Sequence, residues 1–305
     1  MYDHILIPTD GSDGALAAAT WARDTAMRFG STVDVIHVSG VKELPPAYAK
    51  EFEGAFVEEG RELLQDVTAL LDAADIQSSH ALLASGDPVH EVIINYAVNH
   101  DIDCITMGTT GRTGLRRLAL GSVAGRTLRG ATMPVVTVRA DATVDAGVKN
   151  ILVPTDGSPG AEAAADHAIQ LAIATDAALH VVHTVDIQSF GFDDGMASMY
   201  DALQSIGEEA IEAVRTRALE AEVRSVEASL LSGGTHRSIL DYTKQRDIDA
   251  IVMGTHGRRG LQDRWLGSVT ERVVRGSRVP VITVKPESVL AKLDRPEPVI
   301  SRLDD

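Results

Sequence analysis

Residues 107–122 read MGTTGRTGLRRLALGS, and residues 253–268 read MGTHGRRGLQDRWLGS. Both stretches carry one spacing: glycine, two residues, glycine, nine residues, then glycine-serine. The positions are Gly108, Gly111, Gly121 and Ser122 in the first, and Gly254, Gly257, Gly267 and Ser268 in the second. A glycine turn leaves backbone N–H groups uncovered, and a helix beginning behind it adds the positive end of its dipole. Together they suit an anion such as a phosphate chain. Arg112 and Arg116, then Arg258 and Arg259, put positive charge on these loops. Two acids, Asp10 and Asp156, sit in identical PTDGS segments behind Pro8-Thr9 and Pro154-Thr155. Such a carboxylate has two readings. It takes a ribose hydroxyl, or assists a Mg²⁺ carried by phosphates; or it caps the helix that follows.

The elements that must position these groups come from a chain written twice. ILIPTDGSDGALAAATWA (5–22) matches ILVPTDGSPGAEAAADHA (151–168) at an offset of 146, and DIDCITMGTTGR (101–112) matches DIDAIVMGTHGR (247–258) at the same offset. Two domains of one fold follow: 1–139 and 150–285, with a small polar linker at 140–149 and an unmatched tail at 286–305. Each copy alternates short apolar runs with amphipathic segments, which predicts five strands and four helices. The expected fold is α/β: two tandem open, doubly wound parallel sheets in the order 3-2-1-4-5 with helices on both faces. Ligands then bind outside the carboxyl ends of strands 1 and 4, where the order reverses. PTDGS ends strand 1 and the glycine loop ends strand 4, so both face one crevice.

Other phosphate loops fit worse. There is no G-x-x-x-x-G-K-[ST], and the dinucleotide pattern G-x-G-x-x-G belongs after strand 1. The SGG at 232–234 ends strand 3 in one copy alone. His37 and His183 read as core histidines of strand 2. His90 and His236 fall in the first turn of a helix, with no second His or Cys at metal-ligand spacing. Arg126 and Arg272 read equally as ion-pair partners or phosphate contacts.

Composition narrows the partners. The 305 residues carry 44 acidic against 28 basic side chains, a net charge of −16. That surface excludes general nucleic-acid binding. No apolar run reaches the 18 residues a membrane span needs. No basic-then-apolar leader is visible, which makes the cytoplasm the expected location. Cys104 is the single cysteine and reads as a core residue. Six lysines among the 28 basic residues, on an acidic alanine-rich chain, suit a halophile.

G-x-x-G, nine residues and G-S after strand 4, with PTDGS after strand 1, resembles the ATP-binding class of universal stress proteins, and does so in both copies. The resemblance implies ATP, ADP or AMP with Mg²⁺ at each copy. It implies that Asp10 takes the ribose beside Pro8 and Thr9, that the Val38 backbone meets adenine and that Met107 packs near the base. Gly108, Gly111, Gly121, Ser122 and Val123 would line the phosphates, with Arg112 nearby. In the second copy the matches are Pro154, Thr155, Asp156, Thr184, Met253, Gly254, Gly257, Arg258, Gly267, Ser268 and Val269; Thr184 at the Val38 position is the departure in kind. It further implies pairing of the copies through strands 134–138 and 280–284, and allows a dimer of whole chains. The expected function is a nucleotide-dependent regulatory switch in stress response, with an unknown protein partner. The alternative is a slow ATPase or adenylyl or phosphoryl transferase at the same sites, because phosphoryl transfer needs mainly positioning and charge neutralisation.

Overall fold

A computed structural model describes residues 1–40, 46–85, 87–111, 120–144, 147–186, 196–257, 266–286 and 301–302; of these, 40, 46–56, 84–85, 196–198 and 301–302 are described by backbone alone. The chain divides into two compact units. One holds Tyr2–Val144 with Lys292–Asp305, the other Asp145–Ala291.

In the first unit the order is β1 (His4–Pro8), α1 (Asp13–Phe29), β2 (Thr32–Gly40), α2 (Pro46–Asp72), β3 (Ser78–Ser85), α3 (Val89–Asn99), β4 (Cys104–Gly108), α4 (Ser122–Gly130) and β5 (Val135–Val138). The strands lie side by side as β3-β2-β1-β4-β5, all parallel. Helices α1 and α2 cover one face; α3 and α4 cover the other. Buried on both sides, β1, β4 and β5 become apolar runs whose Ile5, Leu6, Ile7, Ile105 and Val136 are fully enclosed. Helix α2 begins at Pro46, and residues 41–45 before it lie outside the described part.

The second unit repeats the plan. It runs β6 (Asn150–Pro154), α5 (Pro159–Thr175), β7 (Ala178–Val185), α6 (Met196–Glu220), β8 (Ser225–Ser232), α7 (Thr235–Gln245), β9 (Ala250–Gly254), α8 (Ser268–Gly276) and β10 (Val281–Val284). Its strands lie as β8-β7-β6-β9-β10, again parallel.

One element was not expected. Ser301–Arg302 form β11, antiparallel to Leu83–Ala84 on the outer edge of β3. The first unit therefore has six strands rather than five. An edge strand presents unpaired N–H and C=O groups, and the tail supplies partners for some of them.

The α3 face of β2 holds a buried carboxylate. Asp34 accepts hydrogen bonds from the Ser79 hydroxyl at 2.5 Å and from Tyr96 at 3.0 Å, with His4 Nε2 3.2 Å away. Burial alone raises its pKa, but the bonds from Ser79, His4 and Tyr96 outweigh that and hold it below the usual carboxylate value.

Candidate functional site

The first wall of the site is the turn between β1 and α1. Thr9 N–H continues the sheet ladder to Ile36 O at 2.8 Å, and Gly11 follows in the left-handed region at φ 72°. Asp10 Oδ1 accepts Ser12 N–H at 3.1 Å. Ser12 then caps α1: its hydroxyl oxygen accepts Ala15 N–H at 3.3 Å and donates to Thr110 O at 3.3 Å. In the second unit Asp156 Oδ1 accepts Ser158 N–H at 3.0 Å, and Ser158 caps α5 through Ala161 N–H at 3.3 Å. The helix caps are thus the serines. The aspartates shape the turn and keep Oδ2 beside the glycine loop: a Cβ added to Gly111 would overlap Asp10 Oδ2, and one on Gly257 would lie 2.6 Å from Asp156 Oδ2.

The second wall is the loop after β4. Gly108 packs directly on α1, where an added Cβ would come within 2.7 Å of the Gly14 carbonyl carbon. The described ends of the loop are tied together, with Gly121 N–H donating to Thr109 O at 2.7 Å and Gly267 N–H donating to Thr255 O at 2.8 Å. Gly121 and Gly267 are the N-caps of α4 and α8, and neither helix has a side-chain cap. Ser122 and Ser268 open those helices with exposed side chains. The contrast with α1 and α5 is chemical. Where serine supplies the acceptor the helix start is closed; beside the glycines the first-turn N–H groups meet no capping side chain.

Between the walls lies a cavity of about 280 Å³. Asp10, Gly111, Gly121 and Ser122 form one end, and Ile36, Val38, Val89, Ile93 and Met107 line the rest. It is polar where α4 begins, and apolar between β2 and α3. His37 closes the side. Its Nδ1–H donates to Thr9 O at 2.8 Å, and Gly60 of α2 leaves room for the ring. His183 repeats the bond to Thr155 O at 2.8 Å, with Gly207 giving the room. These histidines hold the β1 and β6 turns in place.

Pro8, Thr9, Asp10, Val38, Met107, Gly108, Gly111, Gly121, Ser122 and Val123 all line this cavity. In the second unit Pro154, Thr155, Asp156, Thr184, Met253, Gly254, Gly257, Gly267, Ser268 and Val269 hold the same places at the ends of β6, β7 and β9 and the start of α8. Arg112, Arg116, Arg258 and Arg259 lie outside the described residues. Sequence reasoning missed nine described lining residues, among them Ser12, Ala15, Ile36, His37, Val89 and Ile93. The period-2 alternation of β2 carries the signal for Ile36, which shares a face with Val38. His90 sits in the first turn of α3, where burial and then Arg126 and Arg129 lower its pKa against the opposing pull of Glu91.

The fold defines a tandem α/β protein with a glycine-lined crevice at the carboxyl ends of the strands in the first unit, and the same residue types at the same places in the second. The sequence pattern of the universal stress protein family matches residues 1–139 and 147–285. The chain belongs to the universal stress protein family. A universal stress protein of Mycobacterium tuberculosis is 30% identical over 292 residues, covering 92% of this chain and 96% of its own. One from Methanocaldococcus jannaschii is 35% identical over 140 residues, covering 45% of this chain and 82% of its own. The crystal structure of a universal stress protein from Archaeoglobus fulgidus has the same fold, with a TM-score of 0.71 at 24% identity, over 93% of this chain and 98% of that one.

Proposed function

We propose that the chain is a nucleotide-binding regulatory protein of the stress response, with one nucleotide per unit. The observation that carries this reading is the joining of three features in one cavity: an uncapped α4 start, glycines that a side chain would fill, and the Asp10 carboxylate. The phosphates lie against Gly111, Gly121 and the N–H groups of α4. Asp10 takes the ribose, and the base enters the apolar end between β2 and α3. That end is adenine-compatible in the first unit, in keeping with the ATP-binding class the motifs resemble. A Mg²⁺ carried by the phosphates would neutralise part of their charge, and Asp10 is the lining carboxylate that would assist it if it does not take the ribose. Among the described residues no group of three His, Cys, Asp or Glu is placed to hold a metal without them.

A bound nucleotide ties together the end of β1, the start of α4, and the β2–α3 face, which are otherwise joined through the sheet. It stabilises the unit in proportion to its saturation. That ligand-dependent stiffening is the physical basis of the switch. No described helix is long and apolar enough to cross a membrane, so the readout is sought in assembly and protein partners.

The test is mass spectrometry of ligand released from purified protein, followed by calorimetric titration with ATP, ADP and AMP in high salt. An adenine nucleotide recovered or bound at micromolar concentrations supports the reading. No binding of any nucleotide overturns it. Steady release of ADP over many turnovers, lost on Asp10→Ala, would replace the switch with an enzyme.

A further inference from the structure

The two crevices are one design, and they differ where a base would lie. Of the nineteen described residues lining the first cavity, fourteen recur unchanged 146 positions later. At the anion end Asp10, Gly111, Gly121 and Ser122 meet their identical counterparts. Two of the five changes leave the base end untouched: Thr110 becomes His256 in the loop, and Ala124 becomes Thr270, whose hydroxyl is engaged with Gly254 O at 2.8 Å. The other three fall together. Ile36, Val38 and Val89 become Val182, Thr184 and Thr235.

Valine to threonine keeps the shape and exchanges a methyl group for a hydroxyl. Isoleucine to valine removes one methylene. The base end of the second unit is therefore slightly roomier and carries two hydroxyls on a face that is apolar in the first. Thr184 and Thr235 are both half-buried, and neither hydroxyl makes a hydrogen bond among the described residues. Guanine has the bicyclic frame of adenine, one more exocyclic heavy atom, and a carbonyl in place of the amino group. A valine-lined wall strips water from the additional polar atoms without replacing it; a threonine-lined wall replaces it. We infer that the second-unit crevice selects guanine nucleotides while the first selects adenine nucleotides. The inference rests on the nucleotide-binding reading above.

The experiment is calorimetry on the full-length, ligand-free protein with ATP and with GTP. Each nucleotide is expected to fill one site tightly, with the mismatched site weaker by roughly 30-fold, the size expected for two net hydrogen bonds. Thr184→Val with Thr235→Val should move the second site to ATP. Val38→Thr with Val89→Thr should move the first toward GTP. These swaps conserve shape, and an unchanged melting temperature before ligand addition shows that the fold is intact. Equal base preference at both sites, or no change on swapping, overturns the inference and leaves nucleotide binding standing. Binding of neither nucleotide at either site overturns both.

Discussion

Asp10 Oδ2 occupies the space that a side chain on Gly111 would need, and Asp156 stands in the same relation to Gly257. In each unit the aspartate after the first strand and the glycine after the fourth are therefore neighbours in space, although about a hundred residues apart in the chain.

Replacing Gly111 with valine fills the crevice from the loop side and displaces the Asp10 carboxylate. Gly111 and Gly257 both lie outside the positive-φ glycines, so the cost comes from lost space rather than backbone strain. Gly111→Val is expected to leave one equivalent of bound nucleotide, Gly257→Val the other, and the double variant none. Calorimetric stoichiometry checks this, and two equivalents retained by the double variant would exclude the loops as the site.

Asp10→Asn separates the two roles of the acid. The amide oxygen still accepts Ser12 N–H, so stability should move by no more than about 0.5 kcal/mol. The charge-assisted bond to ribose or metal is lost, and affinity at the first site should fall roughly tenfold or more. A destabilised protein with unchanged affinity would return Asp10 to a purely structural role.

Ser12→Ala and Ser158→Ala remove the caps of α1 and α5. Each should cost about 1 kcal/mol in urea or guanidinium unfolding. Ser12→Ala should cost the more, because Ser12 also donates to Thr110 O. Indifference to both substitutions would show that solvent satisfies these helix starts.

His167 of α5 stands where the first unit has the buried Trp21. Burial pushes its pKa from 6.5 down to about 4. The unfolded chain takes up this proton near 6.5, whereas the folded chain resists until about 4. Stability from this group is complete above pH 6.5 and falls as the pH drops from 6.5 toward 4. His167→Gln should flatten that slope. Asp34 acts in a lower window. Its folded pKa lies below 3.8, so its contribution is present above 3.8 and is lost on further acidification. Stability measured by denaturant at successive pH values in the wild type, His167→Gln and Asp34→Asn tells the two windows apart.

Much of the architecture was legible because the chain states it twice. The parallel order follows from apolar runs such as AIVMG, which must be buried on both faces, alternating with amphipathic helices. The glycine-lined end of the crevice was legible because its glycines and acids are short motifs at strand ends. The base end was not. Ile36 lies inside β2 and Val89 opens α3, and the two meet only once β2 lies beside β1 and α3 covers it. The capping alternative for Asp10 falls two residues short of the N-cap, which is Ser12: both are good N-cap types, and helix boundaries read from sequence drift by about two residues. Two residues of β11 in a proline-rich tail carry no periodicity to read.

That short strand has a temporal consequence. Ser301 follows Ser85 by 216 residues, so on a ribosome moving at about 5–20 residues per second the β3 edge waits roughly 10–40 s for its partner. Newly made first units therefore spend that interval with an uncovered strand. Crowded polysomes are therefore where the β3 edge is exposed to mispairing with its neighbours.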